Sequence, residues 1–208
     1  ATPIYIARGK TLMGLLEISD PLKPDARQAI ANLHKQGLTV LMLTGDHRKV
    51  AQSVASDLGI DEVIAELLPD GKIRQIQQLQ QEGKIVLMVG DGINDAPALA
   101  QADVGIAIGA GTDIAIESAD VVLMHGSIQG VADFIALSKA TMKNIKQNLL
   151  GAFFYNSLGI PLAAGVFYPI FGLLLSPVVA AAAMSLSSVT VVSNALRLRN
   201  ISLHRTGP

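Results

Sequence analysis

Apolar and polar positions are arranged in two different ways along this chain. From Ile4 to Ser19, β-favouring runs flank a turn at Ala7 to Lys10 and predict a hairpin or two strands. Asp20 to Pro24 break that pattern. Ala26, Ala29, Ile30 and Leu33 then fall at helical spacing within Asp25 to Lys35, and Gly37 stands where a helix stop belongs. Thr39 to Leu43 reads as a strand, Thr44-Gly45-Asp46 as the loop after it, and His47 to Leu58 as a helix. The same grammar recurs in the strand Val63 to Ala65, the helix Pro69 to Gln81, the buried strand Ile85 to Val89, the loop Gly90-Asp91-Gly92 and a helix from about Asp95. Further short strands are expected at Val104 to Ile108 and Val121 to Met124. Strands and helices alternating at this length imply an α/β fold, a parallel sheet flanked by helices on both faces.

The last third follows another rule. Helical character runs from Ile128 past Lys139, Lys143 and Lys146 into a stretch, Leu149 to Leu196, that contains no Asp, Glu, Lys, Arg or His, although charged residues make up 16% of the whole chain. Averages therefore hide a soluble part and a bilayer-soluble part, and the mean hydropathy of +0.43 reflects the second. Asn148 to Tyr168 and Leu173 to Leu196 are each long enough to cross about 30 Å of hydrocarbon at roughly 1.5 Å per residue. Pro169 and Gly172 mark the turn between them, so an all-α transmembrane hairpin is expected. Lysines precede it, Arg197, Arg199 and Arg205 follow it, and the turn has no basic residue, which places both ends in the cytoplasm.

A net charge of -1 excludes an electrostatic nucleic-acid footprint, so no nucleic-acid partner is expected. Cysteine is absent, which rules out disulfides and thiolate ligands from this chain. The N-terminus has no signal-peptide pattern and reads as a cut through a larger protein.

Ligands of open parallel sheets collect at the carboxyl ends of strands, beside helix N-termini that favour anions. Two acidic loops are predicted there. Thr44-Gly45-Asp46 offers a hydroxyl and a backbone amide that can approach a phosphate closely; Gly90-Asp91-Gly92-Ile93-Asn94-Asp95 offers two carboxylates and an amide in a tight turn, suited to a hard cation such as magnesium. Taken singly, each is a common turn composition. Together with Lys72, which opens the intervening helix and could neutralise a phosphoryl oxygen, they describe a magnesium-phosphate site. Gly109-Ala110-Gly111-Thr112 lacks the third glycine of a dinucleotide fingerprint, with Ile114 in its place, and reads as a tight turn ahead of a helix near Thr112.

Residues 44 to 46, Leu68-Pro69-Asp70-Gly71-Lys72 and the run from Gly90 to Leu99 resemble the phosphorylation domain of the P-type ATPases, a haloacid dehalogenase-like fold. Asp20-Pro21-Leu22-Lys23 is similar to the family's segment joining nucleotide and phosphorylation domains. The resemblance implies the end of a nucleotide-binding region over 1–20, a phosphorylation domain over 21–138, and a stalk, hairpin and cytoplasmic tail over 139–208. It implies a catalytic set of Thr44, Gly45, Asp46, Lys72, Asp91, Asn94 and Asp95. Asp20, Thr44, Gly45 and Lys72 would meet the cofactor, with Asp91 and Asp95 at magnesium and ATP as fuel. The family's phosphate-accepting Asp-Lys-Thr-Gly-Thr motif does not occur in this chain. The expectation is therefore part of a pump whose phosphorylated aspartate, actuator and earlier membrane segments lie outside the chain, and which is inactive alone.

In the charge-free stretch, Tyr155, Asn156 and Ser157 precede Pro161, and Met184 shares a helical face with Ser187 and Ser188. Thioether sulfur suits copper(I), although methionine in an alanine-rich helix is also a common gap filler. The pattern is similar to the last two helices of the copper(I) subclass of heavy-metal P-type ATPases. That implies a copper route through Tyr155, Asn156, Met184 and Ser188, completed by a Cys-Pro-Cys pair elsewhere. A bacterial inner (plasma) membrane location, contact with membrane lipid and, for the full protein, a copper chaperone partner are the further implications. Two other readings stand beside it: a membrane-anchored phosphatase of the same fold, and a noncatalytic metal-binding or regulatory fragment.

Overall fold

The computed structural model describes residues 2–18, 21–91, 93–109, 117–124, 126–172 and 176–201. Asp20, Gly92, the Ala110–Thr112 turn with the helix expected after it, and Arg205 lie outside the described residues. The chain divides into two compact units, Ala1–Ala132 and Asp133–Pro208.

In the first unit, β1 (Thr2–Arg8) and β2 (Thr11–Ile18) form the expected antiparallel hairpin, with Gly9 in the left-handed region at the turn. Then α1 (Ala26–Lys35), β3 (Leu41–Leu43), α2 (Arg48–Leu58), β4 (Glu62–Ile64), α3 (Pro69–Gln81) and β5 (Leu87–Gly90) follow in order. After a 3-10 turn at Ile93–Asp95 come α4 (Ala96–Gln101), β6 (Val104–Ile108) and β7 (Val121–Leu123). All five central strands pair in parallel, in two groups: β3 with β4, and β5-β6-β7 in that order. Among the described residues, β3 and β5 each pair with a strand on one side only.

The core is built from small and branched aliphatic groups. Ala29 and Ile30 of α1, Ala51 and Ala55 of α2, Ile76 of α3, Leu99 of α4, and Ile106 and Ala107 of β6 are all buried. Ile76, Leu99 and Ile106 are the largest fully buried side chains, each stabilising the fold by about 2 to 3 kcal/mol on area grounds. Strand β5 starts two residues later than its apolar run suggests, and Ile85 is 88% exposed. The cause is local: the Asp103 carboxylate accepts the Val86 N–H at 2.7 Å, and the Val86 carbonyl accepts from Asp103 and Val104, so the chain joins the sheet only there.

The long helix α5 (Gln129–Ala163) starts on a polar clasp with the segment before α1. Asp25 Oδ2 accepts the Ser127 hydroxyl and, at 3.1 Å, the Gln129 N–H, capping the helix from about a hundred residues away in sequence. Lys23 Nζ donates to the Gly126 carbonyl at 2.6 Å, and Asn32 donates to Gln129 at 3.0 Å with both amides buried. Burial alone would raise the Asp25 pKa. The bonds from Ser127 and the Gln129 backbone, with the Lys23 charge, outweigh it and hold the carboxyl below its usual range.

In the second unit α5 ends at Ala163, earlier than the expected span. Pro161 interrupts its ladder and Gly165 turns the chain in the left-handed region, leaving about 22 Å of charge-free helix at roughly 1.5 Å per residue. A short helix α6 (Tyr168–Phe171) and α7 (Pro177–Leu196) follow, and α7 continues as a 3-10 turn over Arg197–Asn200. Among the described residues, one helical segment, Val178–Asn200, is long and apolar enough to cross a membrane.

The clasp generates a pH-dependent prediction. Because the folded pKa of Asp25 is depressed, its stabilisation is present above the unfolded carboxyl range and is lost as pH falls through the folded value. Asp25→Asn should cost about 1 kcal/mol near neutral pH, the size of a lost cap. The difference in thermal midpoint from the parent should close on acidification. A difference that stays constant from neutral to acid pH would contradict the assignment.

Candidate functional site

The loop after β3 is built against the loop after β4. Thr44 N–H donates to the Ile64 carbonyl at 3.0 Å, Leu67 N–H returns to the Thr44 carbonyl at 3.0 Å, and Glu66 N–H donates to the Asp46 carbonyl at 3.0 Å. Glu66 adopts φ 60°, a left-handed conformation uncommon for a residue with a side chain, and its carboxylate accepts from Arg48 N–H at 3.4 Å. A Cβ at Gly45 would stand 3.2 Å from the Leu67 carbonyl oxygen, a tight contact that favours glycine at this position. Within the loop, the Thr44 hydroxyl donates to Asp46 Oδ2 at 2.9 Å and accepts the Asp46 N–H at 3.1 Å. The hydroxyl is therefore oriented by its own loop, at the carboxyl end of β3.

Two residues past Leu67, helix α3 begins with Pro69 at its first position, where a missing N–H costs nothing. Lys72 sits in the first turn of this helix, where a cation works against the helix dipole and an acid would be favoured. Its partner comes from the other loop: Lys72 Nζ lies 2.6 Å from Asp95 Oδ1, with the side chains only 19% and 13% exposed. Asp95 in turn folds over the end of β5. A Cβ on Gly90 would fall 2.7 Å from Asp95 Cβ and 2.9 Å from its Oδ2, so the motif's first glycine makes room for the carboxylate that holds the lysine. Asp91 follows Gly90 directly, and its side chain is exposed, as is that of Asn94 in the 3-10 turn.

The direct contacts among the nominated residues are thus Thr44 with Asp46 and Lys72 with Asp95, while Asp91 and Asn94 are exposed at the carboxyl end of β5. Asp91 presents one exposed carboxylate as a hard oxygen donor, while Asp95 is committed to the ammonium. Among the described residues no three His, Cys, Asp or Glu side chains gather into a metal cluster. One or two carboxylates completed by phosphate oxygens is the donor chemistry magnesium takes, and the residues fit that group.

In the second unit, Tyr155 and Ser187 line a cleft of about 180 Å³ between α5 and α7, together with Asn148, Gly151, Val191 and Asn194 among others. Asn156 and Ser188 are exposed, Met184 is 73% exposed, and the Ser188 hydroxyl is spent on the Met184 carbonyl at 3.2 Å. Sequence reasoning passed over the amides Asn144 and Asn194, whose bonds are described below. Their signal was polar residues bordering a charge-free stretch, which composition alone does not pair.

The crowding at Gly90 makes a test of the lysine's support. Gly90→Ala should displace Asp95, separate it from Lys72 and cost about 1 to 3 kcal/mol of stability. Lys72 should then react faster with an amine-directed reagent, read by peptide mass spectrometry; unchanged Lys72 reactivity in a folded Gly90→Ala protein would show that Asp95 does not depend on the glycine.

A family model for haloacid dehalogenase-like hydrolases matches residues 2–103. A copper-exporting P-type ATPase of Vibrio cholerae serotype O1 is 60% identical over 198 residues, covering 95% of this chain and 22% of that protein. Copper-transporting ATPase 2 of Rhizobium meliloti is 60% identical over 201 residues, covering 97% of this chain and 24% of that protein. The crystal structure of a zinc-transporting PIB-type ATPase in the E2.Pi state superposes with a TM-score of 0.80 at 36% identity, covering 94% of this chain and 31% of that chain. The chain spans about a quarter of the length of the curated relatives it matches. With a haloacid dehalogenase-like α/β unit, and identity that extends on through its apolar helices, the chain belongs to the P-type ATPases and is a partial region of such a pump.

Proposed function

We propose that this chain is the part of an ATP-driven copper(I) exporter that grips the transferred phosphoryl group and lines part of the ion route. The observation that carries the first half is the Lys72–Asp95 pair, a partly buried ammonium held in a helix's first turn by the residue folded over the end of β5. In phosphoryl transfer the protein's work is positioning and charge neutralisation at the equatorial oxygens. The Thr44 hydroxyl, turning from Asp46, and the Gly45 N–H hydrogen-bond the phosphoryl oxygens, Lys72 neutralises them, and Asp95 orients Lys72. Asp91 would hold magnesium, which would screen the phosphate charge, and Asn94 supports that loop.

The phosphate-accepting aspartate comes from outside this chain, on a segment entering beside the edges of β3 and β5 that have no partner strand among the described residues, from whose ends the two site loops depart. Phosphatase chemistry by a self-sufficient domain is disfavoured by the same feature, because no acceptor motif occurs in the chain.

Copper(I) as cargo is supported by the 60% identity to a copper-exporting and to a copper-transporting ATPase against 36% to the zinc transporter. It is supported too by a stretch from Leu149 to Leu196 that offers a thioether, hydroxyls and amides but no charge. The route is assigned to Tyr155, Asn156, Met184 and Ser188, in a membrane hairpin formed by α5 and α7 with both ends cytoplasmic. Membrane lipid, the remainder of the pump and a copper chaperone are the partners of this reading, in a bacterial plasma membrane.

Two measurements test these halves. The isolated chain incubated with γ-labelled ATP should give no acid-stable phosphoprotein, and a labelled band would overturn the external-acceptor reading. In the full pump, Met184→Leu should lower copper(I)-stimulated ATP hydrolysis about tenfold, the equivalent of roughly 1.4 kcal/mol of ligand interaction. Unchanged activation and metal stoichiometry would remove Met184 from the route.

A further inference from the structure

The charge-free helices of the second unit have little in their apolar surfaces to fix how far one slides along the other. Ala180 to Ala183 and Val189, Val191 and Val192 offer only small, non-directional aliphatic surface, and a one-turn slip of about 5.4 Å exchanges one such face for another. Directional bonds must choose the register, and they occur at one end of the pair. Asn148 Nδ2 donates to Asn144 Oδ1 at 3.0 Å, one turn apart on α5. Asn144 Nδ2 donates across to the Asn194 carbonyl of α7 at 2.6 Å, and Asn194 Nδ2 donates back to Asn148 Oδ1 at 2.9 Å. The three residues close a ring of bonds, to which Asn194 contributes both its side-chain amide and its main-chain carbonyl, and Asn144 is only 7% exposed.

We propose that Asn144, Asn148 and Asn194 are positioning residues that lock the register of α5 against α7 and thereby seat Tyr155 across from Ser187. The spacing supports this directly. Three residues on from Asn148 is Gly151 and three back from Asn194 is Val191; four further in the same senses are Tyr155 and Ser187. All six line the same cleft, as an antiparallel pair set at Asn148 and Asn194 requires. Gly151 has nothing within 4 Å of a built Cβ, so the cleft stays open between the amide ring and the tyrosine. A slip by one turn would leave Asn148 and Asn194 without each other and put Tyr155 opposite valine or alanine instead of a hydroxyl. Amides in such surroundings are costly to leave unpaired, which gives the ring its hold on register, as a lone buried asparagine does in coiled coils. The consequence for ion movement rests on the proposed copper route; the register itself does not.

Cysteine pairs in the full-length pump in membrane vesicles read the register, with single-cysteine controls. Gly151→Cys with Val191→Cys reports the observed register, and Gly151→Cys with Ser187→Cys reports a one-turn slip. With the amides intact the first pair should cross-link and the second should not. Adding Asn148→Leu or Asn194→Leu should lower the first yield about fivefold, the effect of losing roughly one interhelical amide bond, and raise the second. Asn148→Gln, which keeps an amide, should restore much of the first. If Asn148→Leu protein is not recovered, the milder Asn194→Ser variant reads the same two pairs. Unchanged cross-linking in the amide-less variants overturns the lock, whichever ion is carried. A shifted register with unchanged copper activation upholds the lock and overturns the copper route through Tyr155.

Discussion

A lysine in the first turn of a helix opposes the helix's own dipole, and Lys72 is held there by an aspartate that belongs to a different loop. The pair is partly buried, so removing either member would leave the other's charge short of solvent and partner. Asp95 can reach Lys72 only because Gly90 lacks a side chain, and Gly90 is the last residue of β5. The start of α3, the end of β5 and the 3-10 turn are thereby made to depend on one another. The first loop enters the same arrangement from the other side, through Leu67 and Glu66 just ahead of α3.

This dependence explains why the site loops hold a defined geometry although the parallel sheet is in two groups. Ordinarily a sheet fixes its strand-end loops through the ladder that joins them. Here β3 and β5 are not joined by a ladder, and the bonds that relate their loops run through α3. Two edges left without partners are a liability in a finished sheet. In the proposed pump they are the place where the acceptor segment belongs, so that the group receiving phosphate enters between an oriented hydroxyl and an anchored ammonium.

Much of this was legible in the sequence because it rests on local chemistry. The strand-loop-helix order, the two acidic loops and the lysine after Pro69 all follow from periodicity and turn composition, and the family resemblance named the same residues. Boundaries were less legible where a distant side chain decides them: Asp103 sets where β5 begins, and the exposure of Ile85 follows from that bond rather than from hydropathy. The end of α5 at Ala163 reflects Pro161 acting within a run whose composition alone continues to Tyr168. Pairings across about fifty or a hundred residues, Asn144 with Asn194 and Asp25 with Gln129, carry no signature in spacing at all. They are readable only once the fold has brought the partners together.

The two faces of the helix pair divide the proposed ion ligands. Tyr155, 39% exposed, lines the cleft between α5 and α7 with Ser187, whereas Asn156, Met184 and Ser188 are exposed and outside its lining. An exposed thioether and amide on charge-free helices are not explained by packing within this pair, and polar side chains in such segments ordinarily turn toward protein. Since the chain spans about a quarter of its copper-transporting relatives, the surface that would cover Met184 and Asn156 can come from helices of the parent protein. On that reading this pair supplies one wall of the route. Its interhelical amide bonds stand at the boundary with the charged stretch, where they set register; beside Met184 the Ser188 hydroxyl bonds within its own helix, to the Met184 main-chain carbonyl, and the thioether is left exposed.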